Sequence, residues 1–274
     1  MIIDFHTHVF PDQIAERTIS HLARAGKETP AFNGTVQGLL AEMQKSGVDL
    51  SIILPVMTAP KQFESVNRFA LALNNAEETR GKLISFAGIH PSCENLTEKM
   101  AWIKENGFLG VKIHPDYQGT FIDDDEYAEI LQAAKKLDLI VITHAGVDGG
   151  FPNEPVRCTP DRVKNLLLKA PHEKFVLAHL GGNLMYDDVY DTLCGLNVYF
   201  DTAHVLSTIK KETFLRVVRK HGIHRVLFAT DAPWSKQKED ISTLKSFGLT
   251  PKEEEQLFYK NAVSLLGLGE NYGH

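Results

Sequence analysis

Cysteine is scarce in this chain. Its three cysteines, Cys93, Cys158 and Cys194, are far apart and odd in number, which excludes a disulfide framework and a zinc knuckle. Free thiols in a reducing cytoplasm are the expected state. No apolar run approaches the roughly 18 residues of a membrane-spanning helix, and the opening residues lack the basic start and apolar stretch of a secretory signal. The sequence therefore predicts a cytoplasmic protein.

Positive charge is also in short supply. Lys and Arg number 29 against 35 Asp and Glu, a net charge of -6, and no basic block is available to neutralise phosphates. We therefore expect a small-molecule substrate, with neither nucleic acid nor a membrane as partner, and a homodimer is compatible with the composition. A hydrophobic content of 43% is ordinary for a globular chain, and 274 residues suffice for a large core.

Apolar, β-branched runs alternate with helix-like stretches along the whole chain. Eight such runs, with several apolar almost throughout, are typical of parallel strands covered on both faces. The pattern predicts an α/β (β/α)8 TIM barrel, residues 1–274 as a single domain, and an extra C-terminal helix over 251–268. A doubly wound open sheet is the alternative, but its glycine-rich phosphate turn is absent. The strands are expected near 1–6, 49–55, 83–89, 108–114, 138–144, 174–179, 196–202 and 225–230.

The helices are expected between these strands, and one connection is unusually long. Segment 10–34, with Gly26, Pro30 and Gly34, predicts a partly irregular lid over the barrel mouth. Before 160–169, a threonine followed by proline forms an N-cap with proline at the first helical position. The predicted helices include 36–45, 63–78, 125–136, 160–169 and 211–221.

Reactive side chains follow the apolar runs at the same end. His6 and His8 are two apart on a strand, so they face the same side and can chelate one ion. His144, His179 and Asp231 end later runs, and closure of a barrel brings all five residues to one mouth. Burying an imidazole that has no hydrogen-bond partner costs free energy, so residues of this kind that meet at one mouth need a shared partner. A divalent metal ion would be that partner for all five residues. Asp231 can both bind that metal and accept a proton from water.

Further strand-end and loop residues are candidates for substrate contacts. Lys112 and His114 form a second i, i+2 pair, and Lys112 would hold a substrate carboxylate or phosphate as a fixed positive charge. Arg157 is a candidate anion clamp, and Trp234 a wall of the pocket. His90 and His204 are expected to line the pocket without binding metal. The remaining histidines are expected at the surface: His21, His172, His221, His224 and His274.

Six motifs in order resemble the amidohydrolase superfamily, and within it the amidohydrolase-related group that includes aminocarboxymuconate-semialdehyde decarboxylase. They are Asp4-Phe5-His6-Thr7-His8, Ala87-Gly88-Ile89-His90-Pro91, Gly107-Phe108-Leu109-Gly110-Val111-Lys112-Ile113-His114-Pro115, Thr143-His144-Ala145-Gly146, Ala178-His179-Leu180-Gly181-Gly182 and Thr230-Asp231-Ala232-Pro233-Trp234. The resemblance implies a barrel, one zinc-like ion on His6, His8, His144 and Asp231, and His179 as the proton-transfer residue. Mn²⁺ or Fe²⁺ suits the same ligands. A second metal on a carboxylated Lys112 is the disfavoured alternative.

These features lead to a metal-dependent hydrolase that uses a metal-activated water on a small carboxylated amide, ester or lactone. Non-oxidative decarboxylation of a small aromatic or semialdehyde carboxylic acid is the alternative, since the resembled relatives use the same ligands. A TatD-like nuclease is disfavoured, because those enzymes carry a metal-bridging glutamate where this chain has Val111-Lys112-Ile113. A metal-binding barrel without activity is disfavoured by the full ligand set.

Overall fold

Nine short parallel strands form the centre of the computed structural model, which describes residues 1–269; the predicted surface position of His274 lies outside them. The strands join into two sheets, in the orders β1-β2-β3 and β4-β5-β6-β7-β8-β9. β3 and β4 are the halves of the predicted strand 83–89, interrupted at Phe86. The strands are β1 (Ile3–Thr7), β2 (Leu50–Ile53), β3 (Leu83–Ser85), β4 (Ala87–Gly88), β5 (Gly110–Ile113), β6 (Ile140–Thr143), β7 (Phe175–Leu177), β8 (Tyr199–Asp201) and β9 (Val226–Leu227).

Backbone hydrogen bonds join the two sheets into a closed barrel. On one side, the amide of Phe86 donates to the carbonyl of Ile53 at 2.9 Å. On the other, Phe5 N donates to Phe228 O and Asp231 N donates to His6 O, both at 2.9 Å. The predicted (β/α)8 architecture is therefore confirmed, and closure excludes the open doubly wound sheet.

Helices follow the strands around the outside. The predicted helices 125–136, 160–169 and 211–221 have the predicted bounds, while 63–78 ends as a regular helix at Asn75. Segment 10–34 is partly irregular, as expected: residues 12–26 form a helix and residues 27–34 have no regular secondary structure. The helices are α1 (Asp12–Gly26), α2 (Val36–Ser46), α3 (Phe63–Asn75), α4 (Leu96–Glu105), α5 (Pro115–Gln118), α6 (Asp125–Lys136), α7 (Pro160–Lys169), α8 (Tyr186–Thr192), α9 (Lys211–His221), α10 (Gln237–Ser246), α11 (Pro251–Glu255) and α12 (Asn261–Leu266).

The predicted C-terminal helix is present and packs at the start of the strands. α11 continues through a π-helical turn, Gln256–Lys260, into α12. The side-chain amide of Asn261 donates to the carbonyls of Ile223 and Val226, at the beginning of β9. Leu265 and Leu266 join the apolar cluster inside the barrel. This helix therefore covers the end of the barrel opposite to the strand ends that carry the reactive residues.

Strand alternation divides the core into two layers. Ile142 and Val176 lie in the inner cluster, whereas their neighbours Val141 and Phe175 pack outward against the helices. Side chains alternate between the two faces of a strand, so apolar residues at consecutive positions fill both layers. Lys112, the register partner of Ile142, therefore points into the barrel.

The first strand departs from this alternation at the site. Asp4 pairs with Ser51 and points outward, where its carboxylate accepts the hydroxyl of Thr230 at 2.6 Å. Phe5 lies in the inner cluster, yet His6 also contacts the inward-pointing Lys112. A register shift between Asp4 and Thr7 accounts for this, because a β-bulge re-aims the side chains that follow it.

Two of the histidines predicted at the surface are buried, and that expectation was wrong for them. His221 and His172 are each 4% exposed. His221 stacks on Phe200 and donates from Nε2 to the carbonyl of Val198 at 3.0 Å. His172 contacts the carbonyl of Leu139 at 2.9 Å. Each ring fills an apolar site while it satisfies a backbone carbonyl, which a helix or loop position alone does not reveal.

Within residues 1–269, no helix is both long enough and apolar enough to cross a lipid bilayer.

Candidate metal centre and active-site cavity

A cavity of about 710 Å³ opens at the carboxyl ends of the strands. The structure brings most of the predicted site residues into its wall, but Arg157 and His90 do not line it. The guanidinium of Arg157 instead lies 2.9 Å from the carboxylate of Glu154 and 3.8 Å from that of Asp116. The predicted residues in the wall are His6, His8, Lys112, His114, His144, His179, His204, Asp231 and Trp234.

His6, His8 and Asp231 form the tightest group at the base of the cavity. Oδ1 of Asp231 lies 3.0 Å from Nε2 of His8 and 3.3 Å from Nε2 of His6, and the two nitrogens are 3.2 Å apart. Zinc ligands at 2.0–2.2 Å in tetrahedral directions are separated by about 3.3 Å. The spacing of these three atoms therefore fits one divalent ion without rearrangement.

The outer nitrogens of both histidines fix which ring atoms face this group. Nδ1 of His8 donates to the carbonyl of Leu54 at 2.8 Å, so Nε2 carries the lone pair in the neutral ring. Nδ1 of His6 lies 2.9 Å from Oδ2 of Asp201, whose Oδ1 accepts the backbone amides of His179 and Ala203. Those amides and the cation of Lys112 favour the carboxylate form of Asp201 against its burial, and in that form the shared proton lies on Nδ1 of His6. Two lone pairs and a carboxylate oxygen then converge beside the Lys112 ammonium, in an arrangement that could hold a divalent cation.

Burial and the neighbouring side chains give His6 and Asp231 the protonation states that metal binding requires. It lowers the pKa of His6 well below 6.5, so this ring stays neutral and keeps a lone pair for an ion. Burial opposes ionisation of Asp231, but the adjacent His6 and His8 rings outweigh it and hold the pKa of Asp231 well below 3.8. Neutral imidazoles and an ionised carboxylate are the ligand forms that divalent zinc binds.

Asp201 is a site residue that the sequence analysis missed. It ends β8 and is fully buried, and burial raises its pKa to about 7. The sequence does carry a signal for it, since Tyr199-Phe200-Asp201 is an apolar run that ends in a carboxylate. Metal-binding histidines usually donate their second ring N–H to such a carboxylate.

His144 and His179 form a chain of hydrogen bonds beside the metal group. Nδ1 of His179 donates to the carbonyl of Ala203 at 2.9 Å, which leaves its Nε2 as an acceptor. Nδ1 of His144 donates to that Nε2 at 2.9 Å. Burial lowers the pKa of His179 to about 4, so at neutral pH its ring is neutral, with a proton on Nδ1 and a lone pair on Nε2. The structure thus places His144 against His179 and outside the group of His6, His8 and Asp231.

A second group lies on the other side of His144. His114 stacks on His144 with ring centroids 4.4 Å apart, and its Nε2 is 3.4 Å from the carboxylate of Asp148. Nε2 of His144 and Oδ2 of Asp116 are 3.9 Å apart, and neither has a hydrogen-bond partner among the described residues. Burial raises the pKa of Asp116 to about 6. Asp116 and Asp148 were also missed, because Asp116 lies in the short helix α5 and Asp148 in the loop after β6, neither of them at a strand end.

Lys112 lies at the centre of the site. It is 1% exposed, and its ammonium donates to Nε2 of His6 at 3.2 Å. Burial lowers its pKa to about 8, against the attraction of Asp231 and Asp201. The alternative of a lysine that extends to solvent is therefore excluded, and its cation faces the cavity.

The backbone is strained at two of these residues. His179 and Asp231 have φ of 57° and 67°, a left-handed conformation that is uncommon outside glycine. Gly146, after His144, has φ of 83°, and a Cβ there would lie 2.1 Å from the amide of Asn183. Such strain persists only where the surrounding structure imposes it, and it concentrates at functional sites.

One protein family and several solved structures are similar to this chain. A family model described as Amidohydrolase matches residues 3–268. A search of curated proteins finds no match. An uncharacterised TIM-barrel protein from Bordetella bronchiseptica has a TM-score of 0.76 at 17% identity, covering 97% of this chain and 98% of that one. A dihydroxybenzoic acid decarboxylase from Polaromonas sp. JS666, with bound manganese and an inhibitor, has a TM-score of 0.70 at 14% identity, covering 97% of both chains. A 2,6-dihydroxybenzoate decarboxylase from Rhizobium has a TM-score of 0.68 at 15% identity, covering 97% and 98%.

Proposed function

The chain belongs to the amidohydrolase family, and from that premise we propose that it is a metal-dependent hydrolase acting on a small carboxylated amide, ester or lactone. The observation that carries the proposal is the convergence of His6, His8 and Asp231 at ligand spacing beside two proton acceptors. A divalent ion held there supplies a Lewis acid that polarises a carbonyl and acidifies water.

The residues divide into ligands and proton carriers. We propose His6, His8 and Asp231 as ligands, with His144 as the fourth. Its role requires the ring to release His179, because Nδ1 of His144 now donates to it. Asp116 would then accept the N–H on Nε2 of His144, which lies 3.9 Å away. We propose a single ion, with the Lys112 ammonium beside His6.

Proton transfer falls to Asp231 and His179. Both are acceptors at neutral pH, since Asp231 is ionised and His179 is neutral. Hydrolysis begins with removal of a proton from water, so resting acceptors suit it. His179 can pass the proton to the leaving group, while its Nδ1–H stays fixed on the carbonyl of Ala203.

Substrate contacts are proposed for the residues that remain in the wall. Lys112 is the cation that meets a substrate carboxylate, and His114 and Trp234 bound the space around it. Arg157 has no such role, because Asp116 and Glu154 hold its guanidinium away from the cavity. We further propose zinc as the ion, a small molecule as the partner, a homodimer as the assembly and the cytoplasm as the location.

Non-oxidative decarboxylation is the second candidate, and Lys112 favours it. That reaction needs a donor to protonate the carbon that loses carbon dioxide. The Lys112 ammonium, with a pKa of about 8, is a proton donor at neutral pH inside the site. The same metal group would orient the substrate.

One experiment separates these functions. The purified protein is analysed for metals, then assayed on a panel of amides, esters, lactones and aromatic acids, with hydrolysis and carbon dioxide release measured in parallel. We expect about one equivalent of a divalent metal and hydrolysis that a chelator abolishes. Asp231→Asn should lose both, whereas Asp138→Asn, an exposed carboxylate paired with Lys174, should lose neither. Carbon dioxide release without hydrolysis would establish the second candidate, and less than half an equivalent of metal would reject both.

A further inference from the structure

The cavity has a polar base and apolar walls, and the walls are not used by the reaction described above. The base holds the histidines, Lys112 and Asp231, while the residues towards the mouth come from α1, α3 and the loop after β7. A volume of about 710 Å³ exceeds what a small carbonyl group needs and is in the range of sites for larger ligands.

α1 presents an apolar stripe to this space. Ile14, Thr18, Leu22 and Gly26, spaced four apart, all line the cavity. Residues four apart lie on one face of a helix, whereas the core-facing side of α1 is made by Ala15 and Ile19. The helix therefore has two apolar faces, and one of them is turned to the cavity.

Two large apolar side chains are left open at this mouth. Among residues 1–269, Ile14, Leu168 and Leu184 are the exposed large hydrophobics, and Ile14 and Leu184 both line the cavity. Leu184 is 63% exposed and holds a left-handed backbone, with φ of 59°. One exposed apolar side chain needs no explanation, but two that line the same cavity indicate an apolar ligand that covers them.

Charge in the cavity disfavours a second anionic group on the substrate. Among residues 1–269, Lys112, at the base, is the lysine or arginine that lines the cavity. The acidic residues that line it are Glu28, Asp148 and Asp231. The carboxylate of Glu28 lies 3.4 Å from Nε2 of His204. A carboxylate held near Glu28 would therefore meet an acidic group and, among residues 1–269, no lysine or arginine in the wall.

We propose that the substrate is an acyl compound with an uncharged apolar arm, whose carbonyl end lies at the base and whose arm fills the space between Ile14, Leu22, Phe69 and Leu184. The identity of the head group rests on the proposed function, but the arm stands on the cavity walls alone. A medium-length alkyl chain or an aryl group fits this description.

The test uses alkyl hydroxamates, whose head binds a metal and whose tail reports on the walls. Dissociation constants are measured calorimetrically on metal-loaded protein for chains of two to eight carbons. Burial of a methylene contributes about 0.8 kcal/mol, so affinity should rise about fourfold per carbon. An eight-carbon chain that ends in a carboxylate should lose most of this gain. A flat series, or equal affinity for the carboxylate-tailed chain, would overturn the proposal.

Variants of α1 locate the effect. Leu22→Asp and Ile14→Asp should abolish the gain with chain length while acetohydroxamate affinity stays unchanged. Ala25→Asp places the same charge on an exposed position of α1 and should leave the gain intact. A loss in Ala25→Asp equal to that in Leu22→Asp would show that the helix was disrupted and would contradict the assignment to the stripe.

Primary alcohols separate this proposal from the proposed function. They have no chelating head, and their binding is followed by the fluorescence of Trp234 in a Trp102→Phe background. If acetohydroxamate fails to bind but affinity for alcohols still rises from butanol to octanol, the metal centre fails and the apolar arm stands. No rise in either series rejects the arm, whatever the metal content.

Discussion

Oδ2 of Asp201 lies 2.9 Å from Nδ1 of His6, and this contact joins β1 to β8 across 195 positions. Both groups are fully or almost fully buried. The contact fixes the proton of His6 on the side away from the cavity, so the lone pair on Nε2 points to Asp231 and His8. Asp201 is therefore a positioning residue for the proposed metal centre.

Replacing Asp201 with asparagine should weaken the metal centre without removing a ligand. Asp201→Asn has no charge to hold the proton on Nδ1 of His6, and loss of such a partner typically costs 10- to 100-fold in metal affinity. Competition with a chelator of known affinity measures the change. Asp138→Asn serves as the control. Unchanged affinity in Asp201→Asn would show that the contact is structural only.

Replacing His179 should separate catalysis from metal binding. In His179→Gln, we expect kcat to fall by about 10²- to 10⁴-fold, because the proton acceptor is lost. Metal content should stay near one equivalent, since His179 is bonded to His144 and Ala203. His8→Gln, by contrast, should lose the metal. Metal analysis and single-turnover kinetics check both, and loss of metal from His179→Gln would make His179 a ligand.

The buried His221 should make the fold sensitive to acid. Burial lowers its pKa to about 4 from 6.5, so between these values the unfolded chain binds more protons. The stabilising contribution is complete above pH 6.5 and is lost as the pH falls towards 4. It amounts to about 2 kcal/mol between pH 7.5 and 5.

Urea denaturation at these two pH values tests this contribution. In His221→Phe, the difference in unfolding free energy between pH 7.5 and 5 should shrink by that amount. His224→Phe, at an exposed position, should retain the wild-type difference. An unchanged difference in His221→Phe would mean that other groups cause the acid sensitivity.

Substitution of Gly146 should destabilise the loop that follows His144. In Gly146→Ala, a left-handed backbone meets a Cβ placed 2.1 Å from the amide of Asn183, so we expect a loss of about 3 kcal/mol or more. Gly47→Ala has φ of 76° and nothing within 4 Å of its Cβ, so strain alone should cost about 1–2 kcal/mol. Urea denaturation of both variants measures the difference, and equal losses would show that the close approach relaxes freely.

The order and type of the elements could be predicted from the sequence. Helix α6 has its predicted bounds, Asp125–Lys136, and the strand around Ile140–Thr143 lies inside its predicted run. The helix is predicted by apolar residues at a period of 3.6, and the strand by a short run that is apolar almost throughout. Both patterns are local properties of the chain. The resemblance of six motifs likewise predicted the amidohydrolase family, because each motif is a contiguous stretch at a strand end.

What the side chains meet could not be predicted in this way. The burial of His221, at the end of α9, depends on the ring of Phe200 in β8. Arg157 points away from the cavity because the carboxylates of Asp116 and Glu154 lie beside its guanidinium. Asp201 gains its role only when β1 and β8 meet inside the barrel. Spacing along the chain decides which face a residue occupies, but closure and packing decide which distant residue stands opposite. The strand-end histidines could therefore be predicted from the sequence. The positions of their protons, their hydrogen-bond partners and their apolar surroundings are determined by the tertiary structure.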